Sequence, residues 1–121
     1  MEKRSRNLHY TASYHMRDHL GDFEHVVLLA VVRLSDRAYG VTIRQEIERR
    51  IGRAVSIGQI YSALNRLENK GFISSMASDP TPVRGGRAKR YFKVEPLGVD
   101  VLRRARTVLS LMWEGLDLQT L

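Results

Sequence analysis

The sequence predicts a mainly α-helical fold with one small β-hairpin, and three observations carry that prediction. Apolar residues recur at three- and four-residue spacing in four separate stretches. Beyond Gly71 the period drops to two over a pair of short stretches. The last helical stretch is apolar on two faces rather than one, which asks for a partner beyond its own core. With 121 residues, 43% of them hydrophobic, the chain can form one core plus a protruding element. The expected division is residues 1–20 as a basic N-terminal arm, 21–95 as the compact unit and 96–121 as a dimerisation helix.

Met1 to Leu20 has no clear periodicity and is basic through Lys3, Arg4, Arg6 and Arg17. It reads as a DNA-contacting arm, a dimer-clasping segment or a frayed end. His15 and His19 stand one helical turn apart, but no carboxylate or thiol completes a metal site, so no metal or other cofactor is expected. A helix is predicted from Asp22, as N-cap, to Ser35, with Phe23, Val26, Val27, Ala30, Val31 and Leu34 facing a core. Leu28, Leu29 and Val32 make its outer face apolar too, so something outside the core must cover it. Gly40 to Ile51 follows, with Ile43, Ile47 and Ile51 on one face and Gly52 as its stop.

Ser56 to Gly71 is the stretch on which the rest depends. Ser56 is a favoured N-cap and Gln59, three residues on, completes a capping box. Ile60, Ala63, Leu64 and Leu67 form its buried stripe. Opposite lie Gly58, Ser62, Asn65 and Asn69, flanked by Gln59, Tyr61 and Arg66. This face is neutral and rich in amides and hydroxyls, unlike the Glu/Lys pairs of an ordinary solvated helix. Asn and Gln are the residues that pair with adenine, and Arg pairs with guanine. Either this helix reads base edges or it is a polar surface helix that touches nothing. Its tight link to Gly40–Ile51 matches a helix-turn-helix.

Phe72 to Ser78 and Ala88 to Val94 read as two strands joined by a Pro/Gly-rich loop. Arg84, Arg87, Lys89, Arg90 and Lys93 make the hairpin strongly basic. Directly after a helix-turn-helix, such a hairpin sits where a winged helix sets its wing against phosphates. Pro96 opens the last helix, which runs to about Leu116. Leu97, Val101, Ala105, Val108 and Met112 form one stripe; Leu102, Leu109, Trp113 and Leu116 form the other. Its second stripe is matched most simply by a second subunit, giving a homodimer seam of Leu28, Leu29, Val32, Leu102, Leu109, Trp113 and Leu116.

Three sequence words, AYG at Ala38–Gly40, SIGQIYSALNRLENKGFISS at Ser56–Ser75 and GGRAKRYFKV at Gly85–Val94 followed by Gly98, resemble the PadR family of bacterial transcriptional regulators. The resemblance implies a winged helix-turn-helix dimerised through a C-terminal helix, in the shorter subfamily with a single such helix. It implies DNA-binding repression, relieved by a small molecule or a stress signal. Some short members hold flat hydrophobic compounds between the dimer helices, and Trp113 is placed to line such a space or to act as a plain interface anchor. Ser56, Gly58, Gln59, Tyr61, Ser62, Asn65 and Arg66 are the residues that would meet DNA from the helix, and Arg84, Arg87, Lys89 and Arg90 those from the wing. The family usually has a Thr capping the last helix, where this chain has Glu95, a weaker cap.

Other function classes fare worse. The chain has no cysteine, no phosphate-cradling Gly loop and no paired carboxylates or triad, so an enzyme is not expected. A net charge of +7 favours a polyanionic partner, and double-stranded DNA fits better than a membrane surface. The longest apolar run, Val26 to Val32, is too short to span a bilayer, and Met1 to Leu20 has no apolar core of a secretory signal. A cytoplasmic location is therefore expected. The competing reading is a winged helix that docks other proteins and has no specific operator.

Overall fold

The computed structural model describes residues 20–78 and 89–120, and among these three helices enclose the core. Helix α1 spans Asp22–Leu34, a 3-10 turn follows at Ser35–Arg37, and α2 spans Gly40–Ile51. Helix α3 spans Ile57–Asn69. Strands β1 (Ile73–Ala77) and β2 (Arg90–Val94) form an antiparallel pair, and α4 (Pro96–Trp113) leads to a last 3-10 turn at Leu118–Thr120. The fold is the winged helix-turn-helix that the residue pattern predicts.

Each helix turns its apolar stripe inward because only that face can be desolvated without stranding polar groups. Val27, Leu28 and Val31 of α1 meet Ile43 and Ile47 of α2 and the whole Ile60–Ala63–Leu64–Leu67 stripe of α3. Phe72, Ile73 and Phe92 close the core from the sheet side. The hairpin register pairs Ile73 with Val94 and Ser75 with Phe92, so the inward residues of both strands share one face. On its other edge β2 is held by the Phe92 N–H, which donates to the Ala38 carbonyl at 2.8 Å, beside a bridge between Tyr39 and Tyr91. The wing is thus hydrogen-bonded to the segment that leads into α2. Helix α4 then packs so closely that a Cβ at Gly98 would overlap the Phe72 carbonyl and lie 2.9 Å from Val94 Cγ2. Only glycine fits there.

Several expectations are corrected by the packing. Asp22 is the first helical residue rather than the cap; Gly21 holds the cap position, and Glu24 Oε1 accepts its N–H at 3.3 Å. The helix ends one residue early because Ser35 leaves it at a positive φ of 54°. Leu28 is not on the outer face of α1 but fully buried, since α2, α3, the sheet and α4 all pack on this helix. Leu29 and Val32 do face out, at 44% and 43% exposure. Ile51 does not join Ile43 and Ile47: it is half exposed in the last turn of α2, just before Gly52 reverses the chain at a φ of 79°. Strand β1 is one residue shorter at each end than expected, β2 begins after Lys89 (Ala88 lies outside the described residues), and α4 stops at Trp113, with Gly115 at a φ of 79°.

The two stripes of α4 are used unequally. Val101 is buried and Leu102 packs against the core, whereas Leu97, Leu109, Met112, Trp113 and Leu116 are all exposed. The helix outruns the domain that anchors it, so among the described residues its C-terminal half meets no core. Among the described residues, no helix is long and apolar enough to cross a membrane.

Candidate nucleic-acid interface

Helix α3 is held rigidly at the end that would enter a groove. The Gln59 N–H donates to Ser56 Oγ at 3.1 Å, and Gln59 Oε1 accepts from the Ser56 N–H at 3.0 Å, so the capping box expected from the sequence is formed. The turn before it is tied by the Val55 N–H, which donates to Glu48 Oε2 at 2.9 Å. At the far end the Phe72 N–H donates to the Leu67 carbonyl at 3.0 Å, and Gly71 takes a φ of 81°. With both ends satisfied, the outward residues are presented on a fixed frame.

Ser56, Gly58, Gln59, Tyr61, Ser62, Asn65, Arg66 and Asn69 are all exposed on this one helix. Tyr61 is set apart from the others by its packing. Its ring lies against Gly40, the first residue of α2, where an added Cβ would strike the hydroxyl and come within 2.6 Å of ring Cζ. This explains the Gly of the Ala38–Gly40 word: it lets the tyrosine lie across the mouth of the helix-turn-helix while staying 40% exposed.

Arg66 has a partner that sequence reasoning missed. Its Nε donates to Glu24 Oε2 at 2.6 Å, and Lys70 Nζ donates to Glu24 Oε1 at 2.7 Å. Glu24 is buried, and burial by itself would raise its carboxyl. The hydrogen bonds from Lys70 and Arg66, with that from the Gly21 N–H, outweigh it and hold the group below the ordinary carboxylate value. No local spacing signals this pairing, because Glu24 and Arg66 stand 42 residues apart. The one available hint was a Glu in the first turn of a helix otherwise expected to be apolar.

The remaining acids near the interface are also occupied. Glu46 accepts from Arg50 Nε at 2.6 Å and from Arg49, and these pairs hold its carboxyl low despite partial desolvation. Glu68 Oε2 accepts from Ser75 Oγ at 2.7 Å, linking α3 to the hairpin. Of the wing cations, Lys89 lies 4.5 Å over the Tyr39 ring, and Tyr39 meets Tyr91 edge-on with centroids 5.3 Å apart. Lys89 and Arg90 are both exposed. Arg84 and Arg87 lie outside the described residues, as do residues 1–19 with His15 and His19. Tyr61 thus joins α3 to the start of α2, and Tyr39 joins the segment before α2 to the base of the wing through Tyr91 and Lys89.

The residues expected at a dimer seam lie elsewhere. Leu29 and Val32 on α1 and Leu109, Trp113 and Leu116 at the far end of α4 are exposed, Leu102 is partly covered, and Leu28 is inside. Trp113, proposed to line a ligand space, is about half exposed. A groove of about 640 Å³ runs between the end of α1 and the hairpin, past Val32, Ser35, Met76 and Val94, and Trp113 does not line it.

Comparison with known proteins follows the same lines. A profile of the transcriptional regulator PadR-like family matches residues 28–104. A search of curated proteins finds no match. Among solved structures, a PadR-like transcription factor from Bacteroides fragilis superposes with a TM-score of 0.65 at 23% identity, covering 76% of this chain and 84% of the other. A transcriptional regulator from Clostridium thermocellum gives 0.62 at 22% identity, with 75% and 85% covered. RosR of H. salinarum gives 0.63 at 21% identity, with 81% of each chain covered. At these identities the likeness is one of fold. The profile match, spanning the helix-turn-helix, the wing and the start of α4, shows that the chain belongs to the PadR-like family of transcriptional regulators.

Proposed function

We propose that the chain is a sequence-specific repressor that binds a palindromic operator as a homodimer. Membership of the family implies DNA-binding regulation; the finer reading rests on one observation above all. On α3 a capped, well-anchored helix exposes Gln59, Ser62, Asn65 and Arg66 together, and no carboxylate stands among these four. Such a face suits the major groove, where amides pair with adenine and guanidinium with guanine. Ser56, Gly58 and Tyr61 would allow close approach and touch phosphates, and Lys89 and Arg90, with Arg84 and Arg87, would add sequence-independent contacts from the wing.

Dimerisation is supported by the exposed apolar residues of α4 and by Leu29 and Val32 on α1. Leaving so many large side chains in water is unfavourable, and burying each contributes roughly 1.5–3 kcal/mol. Two copies of α3 set about one DNA turn apart would read two half-sites. An apolar effector lying against Trp113 between the two α4 helices would relieve repression by shifting the spacing of those copies.

A gel-shift of the full chain against its own upstream DNA and against random duplex, at moderate salt, tests the reading. Retention of the upstream fragment alone supports an operator. Equal, weak binding to both would point to a winged helix that docks other proteins instead.

A further inference from the structure

We propose that Glu24 is a positioning residue for DNA reading: from α1 it fixes the plane of the Arg66 guanidinium, so that Arg66 meets a guanine edge in one set orientation. The inference rests on the reading of α3 given above and adds to it a residue from another helix.

Glu24 sits in the first turn of α1 and is 6% exposed. A carboxylate so placed persists only if its lone pairs are filled by donors. Three donors fill them: Arg66 Nε at 2.6 Å, Lys70 Nζ at 2.7 Å and the Gly21 N–H at 3.3 Å. Arg66 in α3 and Lys70 at its C-cap are one turn apart, so a single carboxylate grips the end of the helix at two adjacent points.

The geometry of this cluster is what suits it to reading. Lys70 is the more enclosed, with a quarter of its side chain exposed against half for Arg66. Arg66 is therefore the member of the cluster that reaches solvent. Glu24 takes the inner nitrogen of the guanidinium, Nε, and the end edge formed by Nη1 and Nη2 makes no hydrogen bond among the described residues. That edge is the one suited to guanine O6 and N7. An unrestrained arginine would lose much rotamer freedom on binding and could turn to phosphate as readily as to a base. Held by Glu24, it has already lost that freedom and offers one geometry. Arg66 also adjoins Asn65 and follows Ser62 by about one turn, so the fixed fork extends a contiguous reading face.

The test uses the full-length dimer and a duplex that the wild-type chain selects from a random pool, compared with a scrambled duplex of equal length. The quantity read is the ratio of the two dissociation constants. In E24Q the ratio should fall about tenfold, the size expected for losing one well-placed bidentate base contact. Binding to scrambled DNA should hold or tighten, because a negative charge has been removed. R66A should lose a similar factor, and E24Q placed in the R66A background should lower the ratio no further. R66K, which keeps the charge but lacks the planar fork, should behave like R66A.

Several results overturn the proposal. They are a wild-type ratio in E24Q or in R66K, losses that add in the double variant, or an E24Q protein that weakens on both duplexes alike, as a structural role alone would predict. If E24Q fails to fold by thermal melting, R66K decides. A wild-type chain that selects no duplex from the pool overturns the functional reading and this inference together; selection that E24Q leaves intact overturns the inference alone.

Discussion

Helices α3 and α4 present opposite kinds of surface. In α3 the aliphatic stripe Ile60–Ala63–Leu64–Leu67 is fully buried, and what remains outside is amide, hydroxyl and guanidinium. In α4 only Val101 is buried among the large apolar residues, and Leu109, Met112 and Trp113 stand in water. Both helices are amphipathic in sequence, but one has used its apolar face within the chain and the other has not. An exposed polar face without a charge pattern suits a partner that must be read; an exposed apolar face suits a partner that must be held. This difference supports the proposal that α3 recognises and α4 assembles, and substitutions in either helix test it.

The largest effect is expected at α4. Leu109→Glu would set a charge in the proposed seam and should both dissociate the dimer and abolish operator binding. Sedimentation of the variant and wild type at micromolar concentration checks this; a monomeric wild type would remove the assembly role altogether. Trp113→Ala should weaken the same association, by about 2 kcal/mol or more if the indole is a central anchor. A dimerisation constant unchanged by that substitution would confine the seam to the aliphatic residues.

On α3 the effect should be smaller and selective. Asn65→Ala is expected to cost about 1–3 kcal/mol on the cognate duplex and little on random DNA. Losing the same amount on both would mean that Asn65 touches only the backbone. Ser56→Ala removes the hydroxyl that caps the helix by accepting the Gln59 N–H, so it should lower stability by about 1 kcal/mol. Thermal melting would show this as a drop of several degrees, and an unchanged melting temperature would mean that water replaces the hydroxyl at no cost.

The wing should respond least. Arg90→Ala is expected to weaken cognate and random duplexes about equally and to lower the salt dependence by about one counterion. Lys89 is a less clean probe, since its ammonium lies over the Tyr39 ring and its loss would also loosen the wing. A sequence-dependent loss in the Arg90 variant would move part of recognition from α3 to the hairpin.

Local rules decided much of this molecule. Caps, periodicity and turn residues act over a few positions, so Ser56, Gln59, the α3 stripe and the strand pair could be read directly from the chain. The exposed character of Ser62 and Asn65 followed from the same helical geometry. Periodicity overreached where a helix is wrapped on more than one side or runs past its support. It put Leu28 outside and Ile51 inside, and both are reversed, because burial is set by which elements pack on a helix and where the core ends. Contacts between distant elements were beyond any local rule. The Glu24 carboxylate beneath Arg66 and Lys70, the Tyr61 ring over Gly40 and the Phe92–Ala38 hydrogen bond each join residues tens of positions apart or in different elements. Sequence alone determined which helix is polar outward and which is apolar outward, since side-chain direction follows from the backbone period. Only the tertiary structure decided how the polar side chains are held, because a buried charge can be placed only where the fold brings its counter-charges to it.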